Sequence, residues 1–558
     1  MRKRIGIDLD NTILRYDALF HSLALERSWI QGNCPQNKGA VKRALINQSR
    51  EDQAGDQLWQ QLQAWAYGKR IDEAELFEGF DGFVRQARKR GDELFIVSHK
   101  TRFSSFSPSI DLRRQAMKTL ERRGFFTSSV DGGFGFRLED VFFASSLEEK
   151  VEMISGLRLD CFIDDLIKVF GCSLFPKETR ALLFSPLEAG KSLKLESYGT
   201  WHEIADHLNL WHWAESCFAA KLHHLKPLGR GGNNRLHRAE FENGDRCAIK
   251  NYLHVEGDNR PRIYAEFEHL MACWELGFRN IPQPLFRTDG FASYSLIEGK
   301  PVETPEASHM EQVLAFLVDL DGANSDLQRF PVKSAAESRY CLRDFVSRIE
   351  ARWERINKGC GLAKWGGEVL DFMAGDLELL KKYVIERFFQ FVEQENLDLD
   401  LKRTPQELIL SPSDFGFHNI LVDEGGKLYF LDFEYSGWDD PAKLLADFFH
   451  HAGQNVSWEC KWFLLERFAD HRKWDTGFLR RWYAVIDLIG LEWVLIVLNL
   501  ADPVEMKRKL FANPRQKPEV LVKSQLGKAA EMIRKSKVRM DRGEERVTVP
   551  GRGALALN

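Results

Sequence analysis

Two acidic residues follow a short apolar run near the start of the chain. Asp8 and Asp10 come directly after the strand-like segment Arg4–Ile7. Side chains two residues apart on a strand point to the same face, so we expect both carboxylates at one end of a buried strand. A carboxylate can attack a phosphate monoester when cations offset the repulsion, and a second acid can protonate the leaving alcohol. We therefore predict a phosphoryl-transfer site in which Asp8 and Asp10 divide these two tasks.

A second set of chemically competent residues begins more than 230 residues later. Lys250 ends a strand-like segment, and Glu266 lies sixteen residues further on in an amphipathic helical pattern. Asp414 and Asn419 share a predicted loop with D-x-x-x-x-N spacing, and Asp432 ends another strand. Transfer of the γ-phosphoryl group of ATP needs a lysine on the phosphates, an acid that holds this lysine, a base for the acceptor hydroxyl and oxygen ligands for Mg²⁺. The order and spacing of these residues predict an ATP-dependent phosphotransferase.

This second set is accompanied by one weaker signal and by one alternative assignment. A turn of small residues at Gly231, Gly232 and Asn233 is suited to cover nucleotide phosphates, although a glycine cluster is more often an ordinary hairpin. Glu268 competes with Glu266 as the partner of the lysine, because both lie in the same helical pattern.

Composition favours a soluble enzyme that acts on small molecules. A chain of 558 residues has room for about two to four domains, each with its own core. A net charge of −4, from 78 basic and 82 acidic residues, gives no electrostatic footprint for nucleic acid. The nine cysteines form no C-x-x-C pair, which indicates reduced thiols in a cytoplasm and no structural zinc site.

No segment predicts export or a membrane span. Charged residues interrupt the apolar stretch within the first eight positions, so this stretch does not form the core of a signal peptide. The longest apolar candidate, residues 482–501, contains Asp487, Glu492 and Asn499. A charged group at a bilayer centre costs about 2.5–3.5 kcal/mol on insertion scales, so we predict a buried helix there instead.

The order of apolar runs indicates the domain organisation. Five short runs alternate with helical patterns such as 76–90 and 112–123, which predicts a parallel sheet: 5–7, 94–97, 141–144, 161–163 and 181–184. Residues 14–80 are too many for an ordinary crossover and are expected to form a helical insertion over the site. We predict a first domain over 1–210, a linker over 211–225, a second domain over 226–533 and a flexible tail over 534–558.

The segment Asp8-Leu9-Asp10-Asn11-Thr12 resembles the first motif of the haloacid dehalogenase-like phosphatases, and the resemblance covers residues 1–210. It implies an α/β Rossmann-like fold with a helical cap insertion. It also implies phosphate binding by Thr12, Ser98 and Lys150, with Lys100 and Lys168 as rivals of Lys150. The Mg²⁺ ligands implied by the resemblance are Asp8, Asp10, Asp164 and Asp165.

Residues 226 to about 530 resemble the aminoglycoside phosphotransferases and choline kinases, through the segments 411–421 and Asp432-Phe433-Glu434-Tyr435-Ser436-Gly437. This resemblance implies an α+β protein-kinase-like fold with Asp414 as the base and Asn419 and Asp432 as Mg²⁺ ligands. The implied adenine-side hinge is 295–298, with Leu296 and Glu298 as nucleotide-binding residues. Many of these kinases carry a histidine two residues before the base, where this chain has Pro412. His418 can fill part of that space, although a packing or surface histidine fits the sequence equally well.

Together the two sites predict a bifunctional enzyme that removes phosphate from, and adds it to, small sugar or polyol phosphates. The expected cofactor is Mg²⁺ at both sites, and ATP is the expected phosphoryl donor. The product is expected to be a precursor in the synthesis of a surface polysaccharide. We expect opposed chemistries to act at different positions, since at one position they would only consume ATP.

Three alternatives remain at the level of sequence. The two domains can form an on/off pair that sets the level of one metabolite. The chain can process nucleic-acid ends, but such kinases use a P-loop, and the nearest candidate, 185–192, lacks its first glycine and contains a proline. A non-catalytic regulatory scaffold would require both sites to be inactive.

Overall fold

The computed structural model describes residues 2–48, 52–104, 106, 108–186, 196–228, 234–252, 261–363, 365–473, 476–512 and 516–542. The chain divides into two compact units, Met1–Ala219 and Ala220–Asn558, here called unit 1 and unit 2. Each has its own sheet and helices.

Unit 1 is built on a six-stranded sheet in which every pair of neighbours is parallel. The strand order is β5-β4-β1-β6-β7-β8, so β1 lies inside the sheet between β4 and β6. Ile5 and Ile7 are fully buried, as expected for a parallel strand covered on both faces. The strands are β1 (Arg4–Ile7), β4 (Glu93–His99), β5 (Val141–Ala144), β6 (Cys161–Asp164), β7 (Arg180–Phe184) and β8 (Glu196–Tyr198), with β2 (Leu14–Arg15) and β3 (Glu75–Leu76) outside this sheet.

The predicted insertion is helical, and its first and last residues lie next to each other. The short strands β2 and β3 pair antiparallel, with Leu14 opposite Leu76, and close its base. Between them lie three α-helices and the π-helical turn Trp65–Lys69. The helices of unit 1 are α1 (Asp17–Glu26), α2 (Lys38–Gln48), α3 (Asp52–Ala64), α4 (Phe80–Arg90), α5 (Leu112–Arg122), α6 (Leu147–Gly156), α7 (Ile167–Phe170) and α8 (Trp201–Phe218).

Residues 211–225, predicted as a linker, belong to regular elements instead. Helix α8 continues to Phe218 and buries Trp211 in unit 1. Lys3 lies 4.2 Å from the centroid of the Trp211 ring and pairs with Glu215 at 2.5 Å. Apolar and charged contacts with the start of the chain therefore extend this helix past the predicted boundary, and the next strand begins at Leu222.

Unit 2 begins with a five-stranded antiparallel sheet of order β12-β13-β11-β10-β9. A largely helical part follows and contains two small sheets, β14-β16-β17 and β15-β18. The strands are β9 (Leu222–Pro227), β10 (Arg235–Phe241), β11 (Arg246–Asn251), β12 (Pro284–Arg287), β13 (Phe291–Ser295), β14 (Lys300–Pro301), β15 (Ile409–Ser411), β16 (Ile420–Val422), β17 (Leu428–Phe430) and β18 (Gly437–Asp439). The helices are α9 (Arg262–Glu275), α10 (Ala307–Gly322), α11 (Asn324–Leu327), α12 (Leu342–Leu362), α13 (Gly366–Phe372), α14 (Glu378–Gln394), α15 (Pro441–His450), α16 (Trp458–His471), α17 (Thr476–Leu498), α18 (Pro503–Ala512) and α19 (Pro518–Arg542).

Helix α17 explains the long apolar segment found in the sequence. By length and composition the segment Gly477–Ala501 is apolar enough to cross a membrane, but 83% of its most apolar window is buried inside the protein. Glu492 within it pairs with Arg339 at 2.7 Å. A core helix with a paired charge accounts for both features.

The predicted flexible tail is also partly wrong. Helix α19 continues to Arg542, which includes nine residues assigned to the tail from 534 onward. Ala529 and Ile533 are buried on this helix, so an apolar face extends further than the sequence suggested. Residues 543–558 lie outside the described part of the chain.

Candidate functional site

The acidic residues predicted in unit 1 meet at the carboxyl end of its sheet. Asp8 follows β1, and its backbone N–H donates to the carbonyl of Ile163 on the neighbouring strand β6 at 2.9 Å. Asp164 ends β6 and Asp165 comes next. Ligands of open α/β sheets bind outside the carboxyl ends of the strands, where these residues lie.

Lys150 is the cation at the centre of this cluster. Its Nζ donates to Asp8 Oδ1 and to Asp164 Oδ2, both at 2.6 Å, and the side chain is fully buried. Ser146 caps α6 by accepting from the N–H of Glu149, which places Lys150 on the first turn of that helix. Burial alone would lower the pKa of Lys150, but the two carboxylates raise it above its ordinary value, so the ammonium stays charged.

Three carboxylates of unit 1 are arranged as a cation site. One oxygen from each of Asp8, Asp164 and Asp165 lies within 4.8 Å of the others. Burial raises the pKa of Asp8 to about 7, with Asp164 and Asp10 adding to the shift and Lys150 opposing it. Burial and the charges of Asp8 and Asp164 raise the pKa of Asp165 to about 8. Carboxylates crowded in this way need a cation to ionise together, and an all-oxygen donor set suits Mg²⁺.

The second acid, Asp10, has a different set of partners. Tyr16 donates its hydroxyl to Asp10 Oδ1 and Lys100 Nζ lies at Oδ2, both at 2.6 Å. Lys100, which the sequence offered as an alternative to Lys150, therefore pairs with Asp10 and not with Asp8. Asn11 has a φ of 62°, a left-handed conformation that asparagine tolerates better than most residues and that turns the chain sharply after Asp10. Lys168 makes no contact with these carboxylates among the described residues.

Two buried hydroxyls complete the predicted phosphate-binding residues of unit 1. Ser98 lies two residues beyond Ile96, which pairs with Ile7, so it reaches the same end of the sheet as Asp8. Within the described part of the chain the Oγ of Ser98 and the Oγ1 of Thr12 have no hydrogen-bond partner. Buried polar atoms are rarely left unpaired, and these two can donate to a bound oxyanion.

The insertion contributes residues that sequence reasoning missed. Tyr67 lies on the π-helical turn, and its ring centroid is 4.7 Å from that of Tyr16. Lys38 on α2 donates from Nζ to the Tyr67 hydroxyl at 2.7 Å, and Lys100 Nζ lies 5.1 Å from the centroid of the Tyr67 ring. Their sequence separation from Asp10 gave no signal for these contacts.

Lys250 of unit 2 is held as the sequence predicted for a nucleotide lysine. Its Nζ donates to Glu266 Oε2 at 2.7 Å and to Asp432 Oδ1 at 2.5 Å. Burial alone would lower the pKa of Lys250, but Asp432 and Glu266 raise it well above its ordinary value. The competitor Glu268 pairs instead with Arg287 at 2.9 Å. Lys250 thus joins β11, α9 and the segment after β17.

Asp414 follows β15, and its carboxylate contacts two histidines. Its Oδ1 accepts from Nε2 of His451 at 2.7 Å and lies 3.4 Å from Nε2 of His418. The backbone N–H of Gly453 donates to Nδ1 of His451 at 3.0 Å, which assigns the proton to Nε2. Burial would raise the pKa of Asp414, but the hydrogen bonds from the two histidines outweigh it and hold the pKa well below its usual range. Ser413, just before it, has a φ of 65°, a left-handed conformation that is strained for serine.

His451 was missed because it comes 37 residues after Asp414, at the end of α15. Its ring stacks on that of His418 with centroids 4.0 Å apart. One nitrogen from each histidine and an oxygen of Asp414 lie within 4.8 Å of one another, as in a metal site. With its proton on Nε2, His451 donates to Asp414, so in this arrangement the cluster holds the Asp414 carboxylate in place.

Asn419 and Asp432 lie at one end of the hairpin β16-β17. The N–H of Leu431 donates to the carbonyl of Asn419 at 2.9 Å, which holds the two segments together. Asn419 Nδ2 donates to the carbonyl of Asp414 at 3.0 Å, so its amide oxygen is the atom left for a cation. Burial raises the pKa of Asp432 to about 7, with Glu434 and Glu266 adding to the shift and Lys250 opposing it. An amide and a carboxylate oxygen fit Mg²⁺.

The remaining nucleotide-binding predictions have mixed outcomes. Gly231, Gly232 and Asn233 lie outside the described residues. The next residue, Asn234, donates from Nδ2 to Glu434 Oε2 at 2.7 Å. Leu296 follows β13 at the predicted hinge. Glu298 pairs its exposed carboxylate with Arg238 at 3.0 Å.

Comparisons with known proteins give weak likenesses. No protein-family model matches the chain, and a search of curated proteins found no match. The structure is similar to choline kinase from Cryptosporidium parvum, with 14% identity over 57% of this chain and 90% of that one and a TM-score of 0.39. Ethanolamine kinase from Plasmodium vivax is 14% identical over 63% of this chain and 91% of that one, with a TM-score of 0.42. Choline kinase from Streptococcus pneumoniae is 13% identical over 59% of this chain and 99% of that one, with a TM-score of 0.38. At these TM-scores the likenesses assign no activity to this chain.

Proposed function

We propose that the chain is a bifunctional enzyme, with a phosphomonoester hydrolase of the haloacid dehalogenase type in unit 1 and an ATP-dependent alcohol phosphotransferase in unit 2. The observation that carries the first half is Lys150 bridging Asp8 and Asp164 at the end of a parallel sheet. The second half is supported by Lys250 bridging Glu266 and Asp432. These proposed domains correspond to the predicted 1–210 and 226–533, with boundaries moved to those of the two units.

In unit 1, Asp8 attacks phosphorus while the bond from phosphorus to the ester oxygen breaks. Asp10 donates its proton to the departing alcohol and then takes one from the water that attacks the aspartyl phosphate. That attack releases inorganic phosphate and regenerates Asp8. Lys150 and the hydroxyls of Ser98 and Thr12 hold the phosphoryl oxygens through both steps.

A divalent cation held by Asp8, Asp164 and Asp165, and by the backbone of Asp10, would supply positive charge against the phosphoryl oxygens. The all-oxygen donor set described above fits this assignment. The raised pKa of Asp8 has the same consequence, because a nucleophile crowded by other carboxylates is fully ionised only when their charge is offset.

In unit 2, Asp414 orients the acceptor hydroxyl and takes its proton as the oxygen attacks the γ-phosphorus of ATP and ADP leaves. The low pKa of Asp414 favours a positioning role before transfer and a proton acceptor only late in it. Lys250 holds the nucleotide phosphates, and Glu266 holds Lys250. Mg²⁺ bound by Asn419 and Asp432 would offset charge on the phosphates.

The proposed substrate is one small sugar or polyol phosphate whose phosphate is removed from one hydroxyl and added to another. Opposed transfers at a single position would only hydrolyse ATP, which favours two positions. Such a product suits activation for a surface polysaccharide, and we propose a cytoplasmic site of action, where ATP is present. A net charge of −4 supports small substrates over nucleic acid.

Single substitutions test whether the two activities are separate. Asp8→Asn should abolish phosphomonoester hydrolysis and leave ATP-dependent phosphorylation intact, because the nucleophile is lost from a unit with its own core. Asp414→Ala should abolish transfer to alcohols and spare hydrolysis. Phosphate release from p-nitrophenyl phosphate and label transfer from γ-labelled ATP to a polyol library measure the two reactions. If either variant keeps its reaction at the native rate, that half of the proposal is wrong.

A further inference from the structure

Lys38 lies near the site of unit 1 and forms no ion pair with the described residues, although the charges of Asp165 and Asp10 act on it from a longer distance. The three buried lysines of this unit each contact a carboxylate: Lys3 pairs with Glu215 at 2.5 Å, Lys100 with Asp10 at 2.6 Å and Lys150 with Asp8 at 2.6 Å. Lys38 is half-buried, and its ammonium donates only to the neutral hydroxyl of Tyr67. An ammonium that is partly withdrawn from water and makes no direct contact with an acid is complementary to an anion that a ligand supplies.

The contacts of Tyr67 place this cation on the side of Asp10. Lys100, the partner of Asp10, lies against the Tyr67 ring, and Tyr16, which donates to Asp10, packs on the same ring. The proposed nucleophile Asp8 instead accepts from Lys150. Since Asp10 serves the departing alcohol, Lys38 lies where that alcohol must be.

Tyr67 itself is built for a polar contact. It lies on a π-helical turn, a form that is rare and frequent at functional sites. Its hydroxyl accepts from Lys38, so its own proton remains for a ligand oxygen. Burial raises the pKa of Tyr67, which keeps that proton in place at neutral pH.

We propose that Lys38 and Tyr67 form a leaving-group subsite that selects phosphomonoesters whose alcohol carries a further anionic group close to the ester oxygen. The inference rests on the proposed phosphatase function of unit 1 and adds the charge of its substrate. If Lys38 served only to neutralise the nearby acids, or to hold the phosphoryl group itself, it would affect all esters equally.

Three phosphomonoesters of nearly equal size separate these cases. Phosphoglycolate, 2-hydroxyethyl phosphate and phosphoethanolamine carry leaving alcohols that are anionic, neutral and cationic. We expect the full-length protein with Mg²⁺ to prefer phosphoglycolate over 2-hydroxyethyl phosphate by at least about tenfold in kcat/KM, and phosphoethanolamine to be the poorest. A charged hydrogen bond is typically worth about 10–150-fold.

Lys38→Met should lower kcat/KM for phosphoglycolate by about 10–100-fold and change that for 2-hydroxyethyl phosphate by less than about threefold. Lys38→Arg should retain the preference, and Lys38→Glu should shift it towards phosphoethanolamine. The matched control is Lys42→Met on the same helix, since Lys42 Nζ lies 5.7 Å from the centroid of the Trp59 ring and serves no ligand in this proposal. Tyr67→Phe should weaken the same preference by a smaller factor.

The outcomes of these assays distinguish failure of the leaving-group subsite from failure of the proposed phosphatase function of unit 1. Hydrolysis without a charge preference, or an equal loss for all three esters in Lys38→Met, would overturn the inference and leave the phosphatase intact. Failure of the native protein to hydrolyse any of the three esters, and p-nitrophenyl phosphate as well, would refute the phosphatase and the inference together.

Discussion

The buried charge network of unit 2 gives a prediction whose size can be worked out from the structure. Glu492 on α17 accepts from Arg339 at 2.7 Å and from Arg352 at 3.3 Å, and all three side chains are buried. Burial would raise the pKa of Glu492, but the two arginines outweigh it and hold the pKa at about 2, compared with 4.5 in its ordinary state. At about 1.4 kcal/mol per pKa unit the difference corresponds to about 3 kcal/mol of stability. Removal of one partner from a buried pair typically costs about 3–5 kcal/mol, in agreement.

Glu492→Gln should therefore lower the free energy of unfolding of unit 2 by about 3 kcal/mol at neutral pH. The sign of the pH dependence follows from the lowered pKa. The stabilisation is fully present above pH 4.5, where the unfolded carboxyl is ionised, and is lost as pH falls towards about 2. The gap between native protein and variant should be constant from about pH 6 to 8 and should narrow below about pH 4.5.

The difference in free energy of unfolding between native protein and variant is measured at each pH by urea unfolding of the full chain. Hydrogen exchange in peptides from α17 monitors the unfolding of unit 2. The matched control is Glu531→Gln, because Glu531 forms an exposed pair with Arg534 and its loss should change nothing measurable. A gap below about 1 kcal/mol at pH 7, or one that widens as the pH falls, would refute the reasoning.

Two predictions concern the site of unit 2. His451→Leu should lower kcat for ATP-dependent phosphorylation by about 10–100-fold and leave KM for ATP nearly unchanged, because His451 positions Asp414 and does not contact Lys250. His451→Gln should recover part of the loss and His418→Leu should cost less, whereas an unchanged kcat would contradict the role of His451. Lys250→Met should instead weaken ATP binding in calorimetry at least tenfold, and tight binding by this variant would show that Lys250 does not hold the phosphates.

The sequence predicted the sheet of unit 1 well because buried parallel strands are short, continuous apolar runs. Segments 94–97, 141–144, 161–163 and 181–184 all lie within strands of the structure. The helical insertion was predicted because the segment is rich in Gln, Trp and Leu and is too long for an ordinary crossover. The end of α8 and the continuation of α19 were missed, because each depends on packing that local composition does not show.

Most of the acidic site residues predicted from the sequence follow strands. Asp8 and Asp164 end neighbouring strands, so their proximity follows from the order of the sheet. The missed residues reach the sites from elsewhere. Lys38 and Tyr67 arrive through the fold of the insertion, and His451 through the end of α15. Such contacts depend on tertiary structure, and no local pattern marks them.

The central claim is that one chain removes a phosphoryl group with Asp8 and adds another with Asp414. The most direct test is incubation of the full-length protein with Mg²⁺, γ-labelled ATP and a library of small sugar and polyol phosphates, with product mass and phosphate position determined. We predict a product of the same composition whose labelled phosphate lies on a different hydroxyl, at the cost of one ATP per turnover. Return of the label only to the position just hydrolysed would contradict the relay, and absence of label in every alcohol would contradict the phosphotransferase itself.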